Sequence, residues 1–185
     1  MIHSSSPSEK FQNKYRIPSA RASWWDYAAP GAYFITICTA DRAHLFGAVR
    51  AGQMMLSPLG DIVREEWERS FTLRQELQCD VYVIMPNHIH GIVRIVKTDG
   101  DVVRTHGGDV VGVAYRASRS ISSFVAGFKS ATTKRINEQR HTPGAAVWQT
   151  RFHDHIIRNA GEYQRIATYI INNPAKWTED GFFQP

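Results

Sequence analysis

The chain is poor in the features that define several large protein classes. It has two cysteines in 185 residues, Cys38 and Cys79. Both sit in or beside apolar strand-like runs, so they read as small core residues in a reducing compartment rather than a disulfide framework. No run reaches the roughly 18 consecutive apolar residues that cross a bilayer, and MIHSSSPSEKFQNKYRIPSARAS at the start lacks a signal-type apolar stretch. A cytoplasmic protein with no membrane partner is expected. Phosphate-loop, GxGxxG and zinc-ribbon patterns are missing, as are internal repeats and long basic blocks. Lys and Arg exceed Asp and Glu by only 22 to 17, a balance that favours a polyanionic partner weakly.

What is present is a 43% apolar composition, enough for one core in one domain of ordinary size. Residues 1–24 are polar and Ser-rich and read as an arm, 25–178 as the domain and 179–185 as a tail. GAYFITICTA (31–40) is a β-rich run after Pro30-Gly31, and FGAVRAGQMMLS (46–57) is two short strands around Ala51-Gly52. Ser57-Pro58 opens a helix marked by Leu59, Ile62, Val63, Glu66 and Trp67. Asp80 to Met85 and His88 to Val96 are strands joined at Pro86-Asn87. Residues 97–117, with four glycines, read as a mobile loop. Ser118 or Ser120 then caps a helix whose stripe is Ile121, Phe124, Val125, Phe128 and Ile136, with Lys129, Lys134 and Arg135 off it. VWQTRFHDHIIRN (147–159) is a broken strand, and AGEYQRIATYIINNP a helix stopped at Pro174. This order predicts an α+β sandwich, ferredoxin-like, with a mainly antiparallel sheet and helices packed on one side.

Within VYVIMPNHIHGIVRI, strand alternation puts His88 and His90 on one face and Ile89 on the other. Two imidazoles so placed suit a divalent metal, and Mn, Zn, Cu or Fe better than Mg; they equally suit partly exposed strand residues beside a turn. Two protein ligands leave room for a third donor and for substrate oxygens. A second pair, His153 and His155, encloses Asp154. His153 reads as surface, and His155 as a supporting or a structural residue.

The last helix can be tested by angle. With Ile166 at zero, Ile170 and Ile171 fall at about +40° and +140°, Tyr163 at about +60° within the buried face, and Tyr169 at about −60° outside it. Glu162 and Asn173 share the strip of Tyr169. That tyrosine is either an exposed edge residue or, beside a cation that neutralises a phosphodiester, a nucleophile toward phosphorus.

MPNHIHGIV resembles the HUH signature (histidine, bulky apolar residue, histidine) of single-strand DNA nucleases. Together with VWQTRFHDHIIRN, YIINNP and the opening WWDYAAPGAYFITICTADRAHLFG, it makes residues 15 to 178 similar to the single-tyrosine transposases of the IS200-like superfamily, in detail to the REP-associated tyrosine transposases. The resemblance implies a divalent ion, Mg²⁺ or Mn²⁺, on His88 and His90, with Tyr169 as nucleophile. Asn173 stands where the superfamily places a metal-ligating glutamine, and is one methylene shorter. His155, with Glu162, is then a supporting residue. Also implied are cleavage of single-stranded DNA at hairpins through a 5′-phosphotyrosine, rejoining to another 3′-OH, a nucleoid-associated location, and a monomer or homodimer. Arg16, Arg21, Trp24 and Trp25 in the arm, and Lys129, Lys134 and Arg135, are candidate DNA contacts. Two other readings keep the same residues: a domesticated single-strand binder that does not cut, and a metallohydrolase that uses activated water.

Overall fold

The computed structural model describes residues 10–11, 14–15, 28–96 and 120–183. The expected arm contacts Arg16, Arg21, Trp24 and Trp25, and the loop expected over 97–117, lie outside the described residues. Strands β1 (Lys10–Phe11) and β2 (Lys14–Tyr15) form a two-residue ladder. Then follow β3 (Gly31–Cys38), the hairpin β4 (Gly47–Arg50) and β5 (Gln53–Leu56), α1 (Pro58–Leu73), β6 (Leu77–Met85), β7 (His88–Ile95), α2 (Ile121–Arg140), β8 (His153–Ile157) and α3 (Ala160–Asn172). A 3₁₀ segment, Pro174–Glu179, closes the described chain.

Local chemistry accounts for these boundaries. Ala51 and Gly52 both take positive φ, 48° and 73°, the geometry that suits a tight hairpin between twisted strands. Ser57 Oγ accepts from Gly60 N at 3.2 Å, with Pro58 in the first turn. Ser120 and Ser123 cap the start of α2 reciprocally. Asn159 caps α3 by accepting from Glu162 N at 2.9 Å.

The central sheet runs β6-β7-β3-β8, every neighbouring pair antiparallel. With α1 between β3 and β6 and α2 between β7 and β8, this is the expected α+β, ferredoxin-like arrangement. One face is the main core. Tyr33, Ile35 and Ile37 of β3 and Ile89, Val93 and Ile95 of β7 pack with Ile62, Val63 and Trp67 of α1 and Phe124, Val125 and Phe128 of α2. Gly91 is on this face because Trp67 lies flat against it: a Cβ there would stand 2.7 Å from the indole. Cys79 packs against this core, its thiol pushed up to about 11 by burial.

The expectation of helices on one side is corrected by α3. Ala167 and Ile170, with Tyr163 and Ile166, cover the opposite face, against Ile92, Phe34, Val81, Val83 and Ile157. The cause is a second apolar row on the sheet, Phe34, Val81, Val83, Ile92 and Ile157, contributed by four strands, which needs cover of its own. The final helix also departs from the angular reading at Ile171, which is 66% exposed. Tyr163 is half-buried, and its hydroxyl donates to Asp80 at 3.0 Å. Among the described residues no helix is long and apolar enough to cross a membrane.

Candidate metal and tyrosine site

The site forms where β6 turns into β7. His88 and His90 point to the α3 face, their ring centroids 4.4 Å apart, and both are buried. Their outer nitrogens are held by the protein. Asn87 donates its amide to Arg42 O and Phe182 O, so its Oδ1 is left to accept from His88 Nδ1 at 2.8 Å. That places the proton on Nδ1 and leaves the Nε2 lone pair bare. His88 Nε2 is buried with no hydrogen-bond partner among the described residues. His90 Nδ1 lies 2.8 Å from Thr36 Oγ1, a hydroxyl able to donate or accept and so to suit either tautomer.

Tyr169 projects from α3 with its hydroxyl 3.1 Å from His90 Nε2, and it donates to Asp180 Oδ2 at 2.9 Å. It keeps 43% of its surface exposed, so it is reachable from solvent. Phe34 meets the Tyr169 ring edge-on at 6.3 Å. Asn173, buried at the end of α3, donates to the same Asp180 oxygen at 2.6 Å, while its own Oδ1 is buried without a partner among the described residues. His88, His90 and Asp180 each offer a ligand atom within 4.8 Å of the others. Two imidazole nitrogens, one of them the orphaned His88 Nε2, a carboxylate and the orphaned Asn173 Oδ1 are what a divalent cation would satisfy, so the donor set fits the implied metal.

Electrostatics agree with that chemistry. Burial lowers His88 to about 4, with Asp180 pulling upward and Arg42 downward. Burial, then His88 and His153, holds His90 well below its ordinary value. Both rings are therefore neutral near pH 7, and the lone pair on His88 Nε2 is free for a metal. Tyr169 is raised above the ordinary phenol value by burial and by its bond to Asp180. Without a cation it stays protonated.

Asp180 and Phe182 belong to the segment that the sequence reading set apart as a tail. The Phe182 ring lies 4.6 Å from the His88 ring and 5.7 Å from the His90 ring, with the Arg42 guanidinium 5.5 Å from its centroid. Trp177, buried and 5.9 Å from the His88 ring, anchors this segment. A tryptophan in an otherwise polar stretch was the available signal.

The other expected residues fall elsewhere. His155 Nε2 meets Glu162 Oε1 at 2.7 Å, tying β8 to α3; register places His155 opposite Phe34, one step from the histidine row. His153 is exposed on the same face, opposite Thr36, which is itself opposite His90. Lys129, Lys134 and Arg135 lie on α2, across the sheet from the histidines. Lys129 Nζ donates to Gln149 O at 2.7 Å and Arg151 O at 3.1 Å. Arg135 bridges Glu65 and Glu66 of α1 at 2.6 and 2.8 Å, and Lys134 stands 4.0 Å from Glu138.

No family model matches the chain. An "Uncharacterized protein" of Haemophilus influenzae is 34% identical over 173 residues, spanning 89% of this chain and 92% of that protein. A second H. influenzae protein, described as a "Putative REP-associated tyrosine transposase", is 23% identical over 158 residues, 82% of this chain and 74% of that protein. Among solved structures, a REP-associated tyrosine transposase bound to a REP hairpin superposes with a TM-score of 0.59 at 19% identity, over 90% of this chain and 76% of that one. The chain therefore belongs to one family with the 34% identical H. influenzae protein, is similar in sequence to a putative REP-associated tyrosine transposase, and shares its fold with the solved REP-associated tyrosine transposase.

Proposed function

We propose that the chain is a metal-dependent, transposase-like endonuclease and strand transferase that acts on single-stranded DNA at palindromic-repeat hairpins. The observation that carries this reading is the Tyr169 hydroxyl, 3.1 Å from His90 Nε2 at the edge of the His88–His90–Asp180 group. His88 Nε2, His90 Nε2 and Asp180 would hold a divalent ion, with Asn173 Oδ1 within the same buried end. When bound, that ion supplies Lewis-acid neutralisation of the scissile phosphate. The hydroxyl oxygen of Tyr169 forms the new bond to phosphorus and the bond from phosphorus to the 3′ oxygen breaks. This leaves a 5′-phosphotyrosine and a free 3′-OH. The phenol proton leaves toward Asp180 Oδ2, which already accepts it in a hydrogen bond, and the departing 3′ oxygen takes a proton from solvent. Attack by another 3′-OH reverses the step, so the phosphodiester energy is conserved and no nucleotide cofactor is required. Asn173 and Asn87 act by orientation: one steers the carboxylate, the other sets the His88 tautomer.

The test is covalent capture of hairpin oligonucleotides in Mn²⁺. Tyr169→Phe should abolish capture and leave DNA binding close to that of the parent protein. Capture that survives the substitution moves the nucleophile elsewhere. Phe182, seated over the imidazoles, favours one second reading, a hairpin-binding protein that does not cut. That reading predicts an intact strand with and without Mn²⁺.

A further inference from the structure

The reacting end of the site is closed on one side and open on the other. Asp180, Phe182 and Trp177 crowd His88, and the hydrogen bond that Asn87 Nδ2 donates to Phe182 O at 2.9 Å holds that wall in place. A strand whose phosphodiester reaches Tyr169 must continue away from this wall. Two elements border the open side: the face of α3 that carries Tyr169, and β8, the edge strand of the sheet.

Both carry groups suited to a phosphate backbone. Arg165 lies four residues before Tyr169, one helical turn of about 6 Å, close to one nucleotide step of an extended strand. It is exposed and makes no ion pair among the described residues. Glu162 is an acidic group within its electrostatic reach. That carboxylate is committed: Oε1 meets His155 Nε2 and Oε2 accepts from Arg158 N at 2.8 Å. Across the gap, His153 stands exposed in the register row of His90, with Phe34 between it and Tyr169, 6.4 Å from one ring and 6.3 Å from the other. Arg158, also exposed, follows at the end of β8. The surface thus runs from the tyrosine to the sheet edge with cationic or hydrogen-bond-donating groups along it. The basic residues of α2 lie on the opposite face and are largely engaged within the protein.

We infer that the strip between α3 and β8 carries single-stranded nucleic acid away from the reacting phosphodiester, with Arg165 and His153 as its backbone contacts. This rests on the reading of Tyr169 and the histidines as a DNA-cleaving centre. It adds the path of the strand and two contact residues.

The experiment measures affinity for a random-sequence single-stranded DNA pool in EDTA, across a salt series, so that neither cleavage nor hairpin sequence enters. Arg165→Gln is expected to weaken binding about five- to tenfold and to lower the salt slope by about one ion. His153→Gln should weaken it by a smaller factor, and Lys134→Gln, on the far face, should leave it unchanged. An unchanged affinity for Arg165→Gln, or an equal loss for Lys134→Gln, overturns the path while leaving the cleavage reading intact. If the parent protein binds no single-stranded DNA, the path and the cleavage reading fall together. Melting curves of each variant identify any loss that comes from unfolding, and Arg165→Lys, which keeps the charge, should restore most of the affinity.

Discussion

The two faces of the central sheet are built from the same strands and do different work. Toward α1 and α2, β7 presents Ile89, Gly91, Val93 and Ile95 to an aromatic core of Trp67, Phe71, Phe124 and Phe128. Toward α3 it presents His88 and His90 and, further along, Ile92, over a much smaller apolar cluster. The first face is apolar and dense. The second is stabilised less by packing than by a network of hydrogen bonds that ends in two orphaned acceptors. The difference teaches that alternation along one strand can separate stability from chemistry, and it predicts that substitutions one residue apart will fail in different ways.

The largest effect that sharpens this contrast, after loss of capture on Tyr169→Phe, should come from Gly91→Val. A side chain there meets Trp67 at a distance no ordinary contact allows, and overpacking of this kind costs about 3 kcal/mol. Chemical denaturation should show that loss while Mn²⁺ binding by the remaining folded fraction is preserved. A valine variant as stable as the parent would mean that α1 can shift away from the sheet, and that the two faces are less distinct than their packing implies.

The next effect belongs to the other face. Asp180→Asn keeps an acceptor for Tyr169 and Asn173 but removes the negative charge. Mn²⁺ affinity should fall at least about tenfold, equivalent to about 1.4 kcal/mol, while the metal-free melting temperature moves by no more than a few degrees. Calorimetric titration checks the first and thermal unfolding in EDTA the second. Unaltered affinity would transfer the third ligand to Asn173 or to water.

How much of this was legible depends on how local each signal is. The hairpins, the caps of α1 and α2 and the turn at Pro86-Asn87 follow from residues within a few positions of one another and were readable, although β6 starts at Leu77 rather than at the expected Asp80. The likeness to REP-associated tyrosine transposases was also readable, because it rests on short motifs in a fixed order. The second helix layer was less so: the apolar row that α3 covers is assembled from single residues of four strands, Phe34, Val81, Val83, Ile92 and Ile157, and no one segment displays it. Arg135 is a clearer case. Its spacing says only that it leaves the apolar stripe, and nothing in α2 records that Glu65 and Glu66 wait on α1. Asp180 depends on Trp177 packing beside His88, nearly ninety positions earlier in the chain, a contact without periodicity or motif.

The smallest effect is a pH dependence confined to the histidine face. In the metal-free protein His88 titrates at about 4 rather than its ordinary 6.5, and His90 is displaced in the same direction, burial being the main cause in each. Below 6.5 the unfolded chain therefore binds more protons than the folded one, so stability rises with pH through this window. The contribution is fully present above the unfolded value and is lost as the pH falls toward the folded one. Between about pH 7 and about pH 6 the loss should stay below about 1 kcal/mol for each imidazole. Melting in EDTA across this range should show a gentle acid-side decline that His88→Gln reduces, whereas Gly91→Val should lower the whole curve without changing its slope. A parent curve that is flat between these pH values would mean that the two imidazoles are hydrated in the metal-free protein, and that the wall formed by Phe182 and Trp177 stands open in solution.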